Sequence, residues 1–169
     1  MYGADGEILA RYDKIHLFDV DVGGGESYQE SARTTAGSQS VLVPLHNTQV
    51  GLTICYDMRF PELFRTLSER GAEVFTVPSA FTVPTGQAHW HVLLRCRAIE
   101  NLAWIIAPAQ AGCHPGGRET FGHSLIIDPW GEVVAEQTEP TPQVVLADID
   151  LQSVRDKRRH FPVLTHRRL

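Results

Sequence analysis

Residues 51–64 read GLTICYDMRFPELF, and this stretch decides the fold. The apolar run at 49–55 has the length and composition of a buried strand. Proline at 61 suits the first turn of a helix, which the apolar spacing extends over 61–70, and Gly71 suits its C-cap. Cys55 sits at the junction. In α/β folds reactive groups gather at the carboxyl ends of strands, where helices begin. A helix N-terminus favours an anion and hence a thiolate. A lone cysteine in a strand is more often a small core hydrophobe. The junction position and the polar residues Tyr56, Asp57 and Arg59 bring the two readings close to parity.

Outward from this stretch, strands and helices alternate. Residues 40–45 and 49–55 read as two strands around an Asn-Thr turn, and 72–77 and 103–108 as further apolar strands. Between the last two, QAHWHVLLRCRAIENLA places Trp90, Leu93, Leu94, Ala98 and Leu102 near helical period. HSLIIDPWGEVVAEQ reads as a hairpin turning at Pro129-Trp130-Gly131, QVVLADIDL as a strand and QSVRDKRRHF as a closing helix. At the start, Asp5-Gly6 is a hairpin turn signal before a strand at 7–12. The segments 20–31 and CHPGGRETFG read as Gly-rich loops; the former lacks the GK[ST] of a phosphate loop. The pattern is α/β with a mixed sheet, in a single domain spanning 1–169. The strands at 49–55, 72–77 and 103–108 are apolar on nearly every residue, so both their faces should be covered.

Bulk composition excludes several classes. Of 169 residues, 43% are hydrophobic and 21% charged, which is globular. A net charge of −5 does not suit a nucleic-acid binder, and Arg155, Lys157, Arg158 and Arg159 read as a solvated helix face. Cys55, Cys96 and Cys113 form no CxxC pair, which points to a reducing, cytoplasmic setting. No apolar run approaches membrane-spanning length.

A nucleophilic cysteine needs a base and an oxyanion donor. Eight histidines are available, and no motif singles one out. Lys14, in YDKIHLF, closes a strand in which alternation puts Tyr12, Lys14 and His16 on one side. Such a lysine either snorkels to water or is held in a site. His89-Trp90-His91 invites a metal reading, but residues two apart on a helix do not face each other and no third ligand has suitable spacing, so no metal is expected. Cys113-His114 reads as a loop at a pocket mouth, and His123 with Asp128–Gly131 as turn chemistry. Phe81 and Thr85 share a sheet end with Cys55 and could touch substrate. Glu62 suits the helix N-terminus; Arg59 is open between orienting substrate and holding the helix.

Taken together, YDKIHLFDVDV, YQES, VGLTICYDMRFPEL, PSAF…TGQAHWHVLLRCRAIEN and GHSLIIDPWGEVVAE resemble the nitrilase superfamily of carbon–nitrogen hydrolases. Five separated blocks occur in that family's order. The chain is most similar to the amidase branch, nearest the deaminated-glutathione amidases through AQAGCHPGGRETFGHS and RRHFPVLTHRR. The resemblance implies an αββα sandwich with mixed sheets, a homodimer or higher homo-oligomer, a small-molecule amide substrate bearing a carboxylate, and no cofactor. It also implies Cys55 as nucleophile, Lys14 as catalytic lysine, Glu30 of YQES as the second active-site glutamate and the Tyr56 backbone N–H as an oxyanion donor. Omega-amidase work, N-carbamoyl hydrolysis and an inactive remnant are the competing readings.

One departure from the family pattern stands out. The family's general base is a glutamate on an early strand, yet the carboxylates before Lys14 are Asp5, Glu7 and Asp13, and none matches. The chain therefore reads as an N-terminally truncated portion of an amidase, lacking a group worth ~10²–10⁴-fold in rate. An open sheet edge and uncovered apolar surface are expected with it.

Overall fold

The computed structural model describes residues 1–23 and 26–168, leaving the side chain of Glu26 aside. Its centre is a six-stranded mixed sheet of order β10-β9-β6-β5-β4-β3. The strands are β3 (Val41–Leu45), β4 (Thr48–Leu52), β5 (Val74–Thr76), β6 (Trp104–Ala107), β9 (Ser124–Ile127) and β10 (Val133–Gln137). β4, β5 and β6 run parallel, joined by crossover helices; β3, β9 and β10 are antiparallel to their neighbours.

Successive residues of the central strands enter opposite cores, as the uninterrupted apolar runs require. Phe75, Ile105, Leu125 and Ile127 join one buried cluster; Val74, Trp104 and Ile126 join the other. Helices α1 (Pro61–Glu69) and α2 (Val83–Asn101) cover the first face. The buried residues of α2 fall at Gly86, Trp90, Leu94, Arg97, Ala98 and Asn101, the three-to-four spacing of a helix stripe. The second face is met by Val154 of α3 (Leu151–His160) and by Val145, Ala147 and Ile149.

Several elements differ from the sequence expectation. Residues 7–12 form no strand: the Asp5-Gly6 turn closes, with Asp5 accepting from Glu7 N at 3.1 Å, but the hairpin shrinks to one bridge between Tyr2 and Ile8. The segment 20–31 is no simple loop; β1 (Asp19–Gly23) pairs with β2 (Glu26–Gln29), and Gly24 and Gly25 lie outside the described residues. CHPGGRETFG forms a second ribbon, β7 (Ala111–Cys113) against β8 (Glu119–Phe121). The segment 143–149 keeps strand alternation, Val145 and Ala147 inward, Val144 and Leu146 more than four-fifths exposed, yet pairs with no neighbour among the described residues. The expected exposed apolar surface is found here and at Tyr2 and Ile8.

The basic cluster of α3 is only in part a solvated face: Arg159 is exposed, while Arg155 and Arg158 fasten the helix. Arg155 bridges Glu73 at 2.9 Å, and Arg158 donates to the carbonyls of Ala72, Asn101 and Leu102. Burial holds the Arg158 pKa down. Lys157 and Arg159 bond within the helix, to Ser153 and Asp156. Asp150 caps the N-terminus by accepting from Ser153 N at 3.0 Å. The hairpin at 128–131 forms as expected, with Asp128 Oδ1 accepting from Trp130 N and Glu132 N.

Candidate active site

The parallel strands end on one side of the sheet, and their loops build a floor there. Thr53 N donates to Thr76 O at 3.1 Å, Cys55 N to Pro78 O at 3.0 Å and Ser79 N to Pro108 O at 2.9 Å. These bonds carry the parallel pairing past the strand ends and align Cys55, Pro78, Ser79 and Pro108 along a cavity of about 1040 Å³. The site thus lies where α/β sheets place their ligands.

Cys55 is half-buried and its sulfur is free of disulfide. It opens a 3₁₀ turn, Cys55–Arg59, and α1 starts only at Pro61. The expected direct seat on an α-helix N-terminus is therefore replaced by a short turn, with few aligned peptide dipoles behind it. Its φ is +50°, left-handed backbone that costs a non-glycine residue about 1–3 kcal/mol and persists only where the surroundings impose it.

Asp57 packs its carboxylate under this turn, and Pro78 O accepts from Cys55 N. Its carboxylate is wholly buried and accepts four hydrogen bonds: Ile54 N at 2.8 Å, His16 N at 3.1 Å, His16 Nδ1 at 2.8 Å and Tyr12 Oη at 2.8 Å. The first closes the Cys55 turn. The others fasten segment 12–16, and so Lys14, beside it. Burial and the bond to Asp57 push the Tyr12 hydroxyl pKa upward. From the other side, the buried Arg97 of α2 donates through Nε to Met58 O at 2.8 Å.

Lys14 ion-pairs with Glu30 Oε2, and its side chain is 9% exposed. The β1–β2 register explains the meeting. Asp19 pairs with Gln29, which sets Phe18 against Glu30; Phe18 N donates to the same Oε2 at 2.7 Å. Lys14 belongs to no strand, but it is held in the site and does not snorkel to water.

The cavity brings together Cys55, Lys14, Glu30, Tyr56, Phe81 and Thr85. Arg59 does not line it: its guanidinium lies 5.8 Å from the Tyr56 ring centre and 5.5 Å from that of Phe81, and reaches His89 Nδ1 at 3.3 Å. Cys113 and His114 do not line it either, though Arg118 of the same ribbon does. The early carboxylates stay away: Asp5 holds its turn and Asp13 pairs with Arg11. Among the described side chains, Glu30 is the carboxylate that lines the cavity.

Sequence reasoning missed three things here. Asp57 carried a signal, an acid inside an apolar stretch that must find partners if buried. Arg33 and Arg118 are the cavity's two guanidinium groups; Arg118 sits in a segment read as a loop, and Arg33 just after one. His91, excluded as a ligand for want of a third partner, meets His123 and Glu136 from other elements.

The carbon-nitrogen hydrolase family matches residues 1–159, and the chain belongs to it. Its fold is the α/β fold of the nitrilase superfamily. The chain is 49% identical over 167 residues to a deaminated glutathione amidase of Synechocystis sp., covering 96% of this chain and 60% of that protein. It superposes on the C. elegans NitFhit protein with a TM-score of 0.92 at 44% identity, covering 99% of this chain and 40% of that one. An amidase from Nesterenkonia sp. AN1, solved with acrylamide added at its active site cysteine, gives a TM-score of 0.75 at 28% identity, with 95% and 59% covered. The chain thus spans no more than 60% of the length of these relatives. No helix among the described residues is long and apolar enough to cross a membrane.

Proposed function

We propose that this chain carries the catalytic centre of a cysteine-dependent amidase that hydrolyses a small carboxylate-bearing amide of the deaminated-glutathione type and releases its amine. The observation that carries the reading is the convergence of Cys55 and the Lys14–Glu30 pair on one cavity at the strand ends. The Cys55 thiolate attacks the amide carbon, and the carbonyl electrons move onto oxygen. The Lys14 ammonium and the Tyr56 backbone N–H, in the first turn of a helix where such groups lack intrahelical acceptors, stabilise that oxyanion. The oxyanion collapses and breaks the C–N bond as the nitrogen takes the proton given up by the Cys55 thiol; the amine leaves, and water cleaves the thioester to the free acid, restoring the thiol. Glu30, occupied by Lys14 and Phe18 N, keeps the lysine aimed. Arg33 and Arg118 on the cavity wall suit a substrate carboxylate.

The test is to incubate this chain with deaminated glutathione, quench in acid, and follow release of cysteinylglycine together with acylation by mass spectrometry. Short omega-amides of 2-oxo diacids serve as competing substrates. An acyl adduct on Cys55, and amine release that Cys55→Ser abolishes, are expected. Release unchanged in Cys55→Ser, or no adduct and no amine, overturns the reading.

A further inference from the structure

Outside the cavity, three ligand-bearing side chains from three elements converge. His91 stands on α2, His123 in the turn between β8 and β9, and Glu136 on β10. His91 Nε2 lies 2.7 Å and His123 Nδ1 2.6 Å from the same oxygen, Glu136 Oε1. All three donor atoms fall within 4.8 Å of one another. None of the three residues lines the Cys55 cavity.

We propose that His91, His123 and Glu136 form a binding site for a divalent transition-metal ion of the zinc type. Two imidazoles and one carboxylate are a zinc donor set that leaves a fourth position open. With bonds of about 2.0–2.2 Å in tetrahedral geometry, neighbouring donors sit about 3.3 Å apart. The two nitrogens therefore need to withdraw from Glu136 Oε1 by well under 1 Å. The side chains are 35%, 24% and 24% exposed, so an ion can enter from solvent without unfolding.

The site is also braced. Trp90, wholly buried, donates through Nε1 to His123 O at 2.8 Å. His123 holds a φ of +60°, and its ring stacks on Phe121 at 4.3 Å between centroids. Such outer contacts fix a ligand's orientation before metal arrives. On binding, the N–H protons now aimed at Glu136 leave those nitrogens. Each moves to the other ring nitrogen or to solvent, and the freed lone pairs bind the ion. The competing explanation is that two N–H groups satisfy one carboxylate and merely pin the β9–β10 hairpin to α2.

Zinc titration by calorimetry separates the two. Because Cys55, Cys96 and Cys113 are free thiols and bind zinc themselves, the titration uses the chain with all three changed to serine. One zinc per chain is expected, with a cobalt absorption spectrum of tetrahedral type and a melting temperature that rises with zinc concentration. His91→Gln and Glu136→Gln should each weaken binding at least about tenfold. His89→Gln, two positions away on α2 and bonded to Arg59, should leave it unchanged. The proposal does not depend on His123→Gln, whose backbone strain affects folding. Absence of stoichiometric zinc binding, or binding indifferent to both His91→Gln and Glu136→Gln, overturns the proposal.

Discussion

His16 and Asp57 stand 41 residues apart in sequence, yet the ring Nδ1 of one lies 2.8 Å from the buried carboxylate of the other. The same carboxylate closes the Cys55 turn through Ile54 N. One side chain therefore sets the relation between the lysine segment and the nucleophile. Asp57→Ala leaves Ile54 N, His16 N and the Tyr12 hydroxyl without this acceptor in a buried place. Losing hydrogen bonds to a charged group and orphaning their donors costs about 3 kcal/mol. Urea unfolding should show a lower midpoint at unchanged slope. A midpoint equal to that of the parent chain would show that Asp57 does not hold this junction.

Lys14 and Glu30 should behave as one unit. Lys14→Met removes the cation from the oxyanion site, and a loss of about 10²–10³ in the rate of amide hydrolysis is expected. Lys14→Arg should not rescue it, because a planar fork cannot replace a compact ammonium packed against Glu30. Glu30→Gln, which keeps shape and removes charge, should lower the rate while leaving the unfolding midpoint nearly unchanged. Full activity in Lys14→Arg would remove the argument for a point charge.

How much of this could be read in the chain differs from element to element. The strand-to-helix junction at Cys55 was legible because a buried parallel strand must be apolar throughout and Pro61 marks a helix start. Helix α2 was legible for the same kind of reason, its stripe from Trp90 to Leu102 being fixed by period. The β1–β2 and β7–β8 ribbons were not, since two-stranded ribbons with one wet face bury too little to leave an apolar pattern. Segment 143–149 showed the opposite failure: its alternation reflects real burial of Val145 and Ala147, but alternation does not guarantee a hydrogen-bonded neighbour. The Lys14–Glu30 pairing came from family resemblance, because the Asp19–Gln29 register that creates it is set by the ribbon. The meeting of His91, His123 and Glu136 depends on tertiary packing of three elements, and no spacing announces it.

The attachment of α3 should be acid-sensitive through Glu73. Burial raises its pKa, but hydrogen bonds from Arg155 and Thr48 outweigh that, and the folded pKa falls below the ordinary glutamate value of 4.5. A carboxylate with a depressed folded pKa adds stability above its unfolded pKa and loses it as pH falls through the folded value. Stability from this pair should thus be complete at neutral pH and decline only below about pH 4.5. Glu73→Gln should lower the urea midpoint at neutral pH and flatten its decline between about pH 5 and pH 3. An identical acid profile in Glu73→Gln would place the acid sensitivity elsewhere.

Gly86→Ala tests the packing of α2 against the β7–β8 ribbon, because two effects of opposite sign compete there. In an exposed helix interior, replacing glycine by alanine stabilises by about 0.8–1 kcal/mol. At position 86 the added methyl would overlap Cγ and Cβ of Phe121. Phe121 cannot retreat freely: its N–H donates to Phe81 O at 2.9 Å, and its ring stacks on His123. Overpacking of this kind costs about 1–3 kcal/mol. The clash should therefore win, and Gly86→Ala should lower the unfolding midpoint. In a Phe121→Ala background the clash is gone, so the same substitution should become neutral or stabilising. This reversal is a coupling between neighbours that a double-mutant cycle reads directly. The strain should also reach the cavity, since Thr82 and Thr85 on the same helical turn and Arg118 on the ribbon line it. A rise in KM for the amide in Gly86→Ala, with the Cys55 acylation step preserved, is the expected kinetic signature. Should Gly86→Ala alone stabilise the chain, Phe121 does not press on α2, and the ribbon is held to the helix by some other contact.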